Sequence, residues 1–174
     1  MKKLFLVLCV ALVSLSASAQ KGEHNIGAQV LYGTDASNFG IGVKYQYNIT
    51  DAIRLEAVGD YYLETDGFSM FDVNLNGHYL FHFSKFTVYP LVGINFTHWK
   101  QDNIFGVPED YEGMYEDELE NFDKDAKDSS IGLNIGGGVQ YNLTSKFRIG
   151  AEIKYQTISG ASTAIIGLGV TYTL

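Results

Sequence analysis

The sequence has few of the features that usually cross-link a protein or anchor it in a membrane. Its only cysteine is Cys9, and its only prolines are Pro90 and Pro108. Beyond residue 20, no apolar run approaches the ~20 residues that a membrane-spanning helix needs. The net charge of −8 offers no basic surface for nucleic acid. Disulfides, a helical membrane domain and a nucleic-acid partner are therefore not expected.

Residues 1–19 have the three regions of a secretory signal peptide. Lys2 and Lys3 form a positive start, residues 4–15 form an apolar core, and small residues precede the expected cleavage site after Ala19. A core of about twelve residues is too short to span a membrane. We therefore expect an exported domain that begins at residue 20, after the signal peptide has been removed together with the cysteine.

Residues 86–99 show the pattern that guides the interpretation of the remaining chain. Every second residue is apolar, in the order Phe86, Val88, Pro90, Val92, Ile94 and Phe96. Successive side chains on a strand point to opposite faces, so one face is apolar while the other is mixed or polar. About ten residues of this kind can cross a membrane as a tilted strand. Pro90 has no N–H for the ladder, so we predict a bulge or a missing hydrogen bond there.

Seven further segments repeat this alternation. The eight predicted strands are residues 25–32, 38–47, 53–63, 70–81, 86–99, 131–141, 147–156 and 166–174. Their connections alternate between longer loops and short turns, and outward aromatic residues fall near both ends of the strands. A soluble barrel would have to turn the bulky apolar face inward, where an eight-stranded interior has no room for it. The pattern predicts an all-β fold, an eight-stranded antiparallel up-and-down transmembrane β-barrel.

The second face of the predicted strands carries charged residues that would lie inside the barrel. These are Lys44, Arg54, Glu56, Asp60, Asp72, His78, Arg148, Glu152 and Lys154. Charges in a narrow barrel are partly desolvated, so each needs a partner. We predict a polar and ionic network that closes the interior. Its members are Lys44, Arg54, Glu56, Asp72, Arg148, Glu152 and Lys154.

The turn after the second strand suggests one pair in this network. If a tight turn at 48–51 pairs Tyr47 with Ile53, then Lys44 lies directly across from Glu56. This pair would lie toward the end of the barrel that carries the short turns. The alternative for the same residues is a narrow or gated pore.

One long connection, residues 100–129, holds most of the charge. Between residues 101 and 128 there are 11 acidic residues and 2 lysines, a balance of −9. The spacing does not match an EF-hand calcium loop, and no metal site is assigned. We expect this segment to be external. It would be either a solvated loop that repulsion keeps away from anionic lipid, or a contact site for an extracellular partner, which would be a basic partner or divalent cations that bridge surface sugars.

The signal peptide, the alternating segments, the F-T-V-Y-P-L-V-G-I strand and the ending G-L-G-V-T-Y-T-L resemble the small outer membrane β-barrel family. Its best-known members are outer membrane protein X and the transmembrane domain of outer membrane protein A. The resemblance implies a Gram-negative outer membrane, periplasmic termini, surrounding lipid, and insertion by the barrel-assembly machinery. The last strand resembles the assembly signal at Gly169, Tyr172 and Leu174, although the family usually ends in Phe.

Together these patterns predict a non-catalytic, monomeric barrel without cofactors, whose role is structural or surface-interactive. A porin-like channel for ions or solutes is the first alternative. A lipid-modifying enzyme is the second, because such enzymes place His, Ser and an acid near the rim. His98 with Ser129 or Ser130 would be at the right level.

Overall fold

The computed structural model describes residues 21–34, 37–65, 68–101, 127–158 and 161–174, and nine strands form within them. The strands are β1 (His24–Gly33), β2 (Asn38–Asn48), β3 (Ile53–Thr65), β4 (Phe68–Tyr79), β5 (Phe81–Phe83), β6 (Phe86–Gln101), β7 (Lys127–Asn142), β8 (Phe147–Ile158) and β9 (Ala161–Thr173). The predicted signal peptide and residues 102–126 of the acidic segment lie outside the described ranges. Within those ranges no helix is long and apolar enough to cross a membrane.

The strands close into a barrel through antiparallel pairs. Strands that follow one another in the chain pair with each other, except β4 and β5, and β1 pairs with β9 to complete the ring. The short strand β5 continues β4, since both pair with β6. Counted this way the ring has eight strands, and the predicted eight-stranded up-and-down β-barrel is confirmed.

Pro90 explains why β4 and β5 are separate. The β4–β6 ladder ends at His78 opposite Leu91 and resumes at Phe81 opposite Val88, with no change of register. The missing rungs are those of Pro90 and its neighbour, while Pro90 remains paired with Gly137 on the β7 side. Because proline has no N–H to donate, the expected missing hydrogen bond is found, and the expected alternative, a bulge, is not.

Two of the turns at one end of the barrel share their chemistry. The hydroxyl of Thr50 accepts hydrogen bonds from the N–H groups of Ala52 and Ile53, at 3.2 and 2.9 Å. The hydroxyl of Thr144 accepts the matching bonds from Lys146 and Phe147, at 3.2 and 2.9 Å. Such side-chain-to-backbone bonds fix a short turn. We call this end, which also carries residue 21 and the C-terminus, the turn end, and the opposite end the loop end.

The two faces of the wall differ as the alternation predicts. Outward apolar side chains are exposed, among them Ile131 at 74% and Val43 at 68%, whereas the inward Arg54 is 1% exposed. Around the turn end, outward aromatic rings pack in pairs 4.8–5.0 Å apart. The pairs are Tyr79–Phe81, Phe86–Tyr141 and Phe147–Tyr172. An apolar outer wall with aromatic rings near its end matches a lipid environment.

The strand bounds differ modestly from the predicted ones. β6 and β7 extend to Gln101 and back to Lys127. Both ends of the acidic segment therefore belong to the ladder, with Lys100 opposite Lys127. The polar composition of these residues gave no sign of a strand. They continue the β6–β7 ladder because the earlier pairing of these two strands already places their backbones side by side.

Candidate functional site

The described interior of the barrel is a network of buried polar side chains. Within the wall its charges balance, with four cationic side chains and four carboxylates, while Glu23 adds a half-buried carboxylate at the turn-end rim. The cations are Lys44, Arg54, Arg148 and Lys154, and the carboxylates are Glu56, Asp60, Asp72 and Glu152. Asparagine, glutamine and threonine side chains fill the space between them. Because a buried charge is costly without a partner, the pairing of these groups determines what the interior can do.

Glu56 is the most heavily contacted carboxylate of this network. Lys44 Nζ lies 3.4 Å from Glu56 Oε2, and Gln46 Nε2 donates to the same oxygen at 2.7 Å. The second oxygen, Oε1, accepts from Asn76 Nδ2 at 3.3 Å and lies 3.6 Å from His78 Nε2. One oxygen therefore meets a lysine and the other an imidazole.

The register predicted for the β2–β3 turn is wrong by two residues. Tyr47 lies opposite Leu55 rather than Ile53, and Lys44 lies opposite Val58. The Thr50 turn is longer than a tight turn, and it shifts β3 by two residues without changing which face is inside. Lys44 reaches Glu56 along the diagonal, which long side chains can span between neighbouring strands.

Asp60 and Asp72 form a second centre nearer the loop end. They lie directly opposite each other on β3 and β4. Lys154, from the far side of the ring, places Nζ 3.5 Å from Asp60 Oδ2, and Gln29 donates to Asp60 Oδ1 at 2.7 Å. Gln156 donates to Asp72 Oδ2 at 2.9 Å. Lys154 therefore offsets the repulsion that two facing carboxylates would otherwise cause.

The two arginines occupy the turn end. Arg54 donates to Asn48 Oδ1 at 2.8 Å and to Gln140 Oε1 at 2.7 Å. Arg148 donates to Asn25 at 2.7 Å and forms an ion pair with Glu23 at 2.9 Å. Glu23 precedes the first predicted strand, so the sequence pattern gave no reason to include it.

Glu152 and His78 meet through a tyrosine. Tyr89 donates its hydroxyl to Glu152 Oε2 at 3.1 Å. The Tyr89 ring also stacks on His78, with centroids 4.6 Å apart and planes 15° apart. One ligand atom from each of Glu56, His78 and Glu152 lies within 4.8 Å of the others. His78 was placed inside by the sequence but given no role there.

Two apolar clusters bracket the polar network, and the sequence analysis did not predict them. The loop-end cluster comprises Leu31, Tyr62 and Ile165, with Met70 packed against it. The cluster toward the turn end comprises Leu80, Tyr89 and Leu91. Strand parity could have found them, because each member lies an even number of residues from an inward polar residue.

Between these clusters little open space remains near Glu152. A small cavity, lined in part by Lys44, Tyr89 and Glu152, has room for about one water molecule. The described side chains in this region are therefore arranged as a packed and charge-balanced core.

The remaining predicted residues lie on the wall and at its rim. Tyr172 packs its ring on Phe147 at the turn end, and Gly169 pairs with Gln29. Leu174 is 64% exposed, and its N–H donates to His24 at 3.0 Å. At the loop end, His98 lies opposite Ser129, with Nδ1 and Oγ 3.0 Å apart on the outward face.

Comparison with known proteins assigns these strands to a family. The sequence pattern of the outer membrane protein beta-barrel domain matches residues 5–173. The chain belongs to this family. Membership in the outer membrane protein beta-barrel domain family implies the bacterial outer membrane as its location and lipid as its surroundings. No curated protein matches the sequence closely enough to count as a relative.

Solved structures share the fold at low sequence identity. The N-terminal β-barrel domain of Pseudomonas aeruginosa OprF is similar with a TM-score of 0.64 and 19% identity, covering 88% of this chain and 98% of that one. Yersinia pestis Ail, in complex with the heparin analogue sucrose octasulfate, has a TM-score of 0.57 and 18% identity, covering 88% and 99%. The outer membrane enzyme PagL has a TM-score of 0.51 and 11% identity, covering 85% and 98%. These likenesses show the fold alone, and PagL shows that the fold can carry an enzyme.

Proposed function

We propose that this protein is a closed, non-conducting outer membrane barrel that presents its acidic segment at the cell surface. In this proposal the turn end and both termini face the periplasm, and residues 100–129 face outward. The barrel is inserted by the assembly machinery and works as a monomer without catalysis. The observation that carries the proposal is the packed, charge-balanced interior, with four cations, four carboxylates and apolar clusters on either side.

The charge of the external segment determines the kind of partner we propose. A balance of −9 between residues 101 and 128 would repel anionic surfaces and attract a basic protein or peptide. Ail has been crystallised with a sulfated sugar analogue, which is a polyanion. The acidic segment of the present chain would repel a polyanion of this kind, so we expect it to contact cationic groups.

Binding of polylysine to cells that display the protein tests this proposal. We expect wild-type cells to bind polylysine in a salt-dependent manner. A variant with the acidic residues of 102–126 changed to Asn and Gln should lose this binding while retaining the heat-dependent gel shift of a folded barrel. A variant that scrambles the order of residues 102–126 keeps the charge and is the matched control. Equal binding by the neutralised variant would contradict the proposal.

A second candidate function, hydrolysis of a surface lipid, is favoured by one contact. The His98–Ser129 pair joins an imidazole and a hydroxyl on the outward face at the loop end, where a lipid headgroup could reach it. Mass spectrometry of lipids from cells that produce wild-type or Ser129→Ala protein tests this candidate. Identical lipid profiles would remove it, and a lipid product lost in the variant would favour it over the surface-contact role.

A further inference from the structure

We propose that Glu56, His78 and Glu152 form a binding site for a divalent transition-metal ion inside the barrel. The three residues come from β3, β4 and β8, so the site joins two neighbouring strands to the strand across the lumen. One ligand atom from each lies within 4.8 Å of the other two. Strands of a closed barrel hold their side chains more rigidly than loops do, which favours a preformed site.

His78 provides the independent reason to expect a ligand. Its side chain is 2% exposed, and neither ring nitrogen has a hydrogen-bond partner among the described residues. The 3.6 Å separation between His78 Nε2 and Glu56 Oε1 is longer than a hydrogen bond. A buried imidazole whose nitrogens make no hydrogen bond has lost its hydration without a replacement bond, so such groups need an explanation. A metal ion bound at a ring nitrogen would provide one.

The orientation of the histidine ring is consistent with this role. Stacking on Tyr89 fixes the plane of the His78 ring, with centroids 4.6 Å apart. The flat face of the ring is therefore covered, and its edge carries the two ring nitrogens, which make no hydrogen bond within the described part of the chain. Tyr89 also donates its hydroxyl to Glu152. The same side chain thus fixes the orientation of the imidazole and of one carboxylate, as groups around metal ligands commonly do.

The ligand set indicates the class of metal. One imidazole and two carboxylates suit Zn²⁺ and similar borderline ions, whereas Mg²⁺ and Ca²⁺ prefer oxygen ligands alone. Zn²⁺ bonds of about 2.1 Å in tetrahedral geometry would bring the ligand atoms to roughly 3.4 Å from one another. Starting from separations within 4.8 Å, the ligand atoms would have to approach one another by up to about 1.4 Å. A water molecule would complete four-coordination.

The ammonium group of Lys44 would repel a bound cation, but its position leaves the proposed metal site accessible. Its ammonium group contacts Glu56 Oε2, while the oxygen that faces His78 is Oε1. An ion bound at Oε1 therefore does not need to displace Lys44 from Glu56. The small cavity beside Lys44, Tyr89 and Glu152 leaves space for the adjustment. The two carboxylates of the site, Glu56 and Glu152, can offset the charge of a divalent cation.

The test uses the mature, untagged protein, refolded in detergent with Zn²⁺ and separated from free metal by gel filtration. We expect about one zinc ion per folded wild-type chain and a higher midpoint of the heat-dependent gel shift. Replacing Zn²⁺ with Co²⁺ should give the visible absorption of a tetrahedral nitrogen and oxygen site. His78→Gln and Glu152→Gln should each lose the bound metal. His24→Gln changes an exposed histidine at the turn end and is the matched control, which should retain it.

Several results would overturn this proposal. Folded wild-type protein that retains no zinc above the buffer level would do so, as would His78→Gln protein that binds as much zinc as the wild type. If His78→Gln does not fold, the Glu152→Gln variant and the cobalt spectrum of the wild type decide. Zinc bound only at the exposed His24 would be lost in His24→Gln but retained in His78→Gln, and that pattern would also reject the site.

Discussion

Truncation of Glu56 tests whether the interior charges depend on one another for stability. In the wild type the carboxylate contacts Lys44 at 3.4 Å and accepts hydrogen bonds from Gln46 and Asn76 at 2.7 and 3.3 Å. Glu56→Ala removes these acceptors and leaves a buried ammonium group. Removing one partner of a buried ion pair typically costs 3–5 kcal/mol. Because Lys44 also lies within electrostatic reach of Glu152 and Asp60, we expect the lower end, about 3 kcal/mol.

The assay is unfolding by urea of the barrel refolded into lipid vesicles. Trp99, the only tryptophan, reports unfolding by fluorescence, and the gel shift reports the folded fraction. The double variant Glu56→Leu, Lys44→Met removes both charges at similar volume and should recover at least about 2 kcal/mol relative to Glu56→Ala. Lys85→Ala, at an exposed turn position, is the control and should change the unfolding free energy by less than about 0.5 kcal/mol. A loss below about 1 kcal/mol for Glu56→Ala, or a double variant no more stable than the single one, would refute the reasoning.

Three further predictions concern the wall of the barrel. In Gly136→Ala, the new methyl group would overlap the carbonyl oxygen of Ile153, so we expect the free energy of unfolding in urea to fall by about 1–3 kcal/mol. Gly59→Ala is the control and should be nearly neutral, because no atom of the described residues lies within 4 Å of the added methyl group. Pro90→Val restores an N–H beside the gap in the β4–β6 ladder, and hydrogen exchange should show a protected amide at residue 90. The unfolding free energy should change little, because proline also restricts the unfolded chain. A rapidly exchanging amide would count against our explanation of the gap. Leu174→Phe introduces the residue with which the resembled family usually ends and should speed insertion in an assay with purified assembly machinery. An unchanged rate would show that the assembly machinery recognises Leu174 equally well.

Much of the fold could be predicted because alternation follows directly from strand geometry. The side chains of Lys44, Glu56 and Lys154 were assigned to the interior from the sequence, and all three are buried. Which residues meet across the lumen could not be predicted in the same way. The pairing of Lys154 with Asp60 depends on the tilt and stagger of the whole ring, which no single strand encodes.

The error in the β2–β3 register has a local cause that the sequence does contain. Residues 48–54 read N-I-T-D-A-I-R, and residues 142–148 read N-L-T-S-K-F-R. In both, the structure pairs the asparagine with the arginine across a threonine-centred turn. Comparing the two turns would have shown the shared pattern, and therefore that the first is longer than the tight turn assumed for it.

The measurement that tests the proposed closed barrel most directly is single-channel conductance in a planar bilayer. The protein would first be shown to be folded by its heat-dependent gel shift. An outer membrane porin of known conductance would be the positive control for insertion into the bilayer. We predict no conductance steps from the wild-type protein, because its interior side chains are packed and paired. Reproducible steps whose size changes in Lys44→Ala would contradict the proposal and make the barrel a pore.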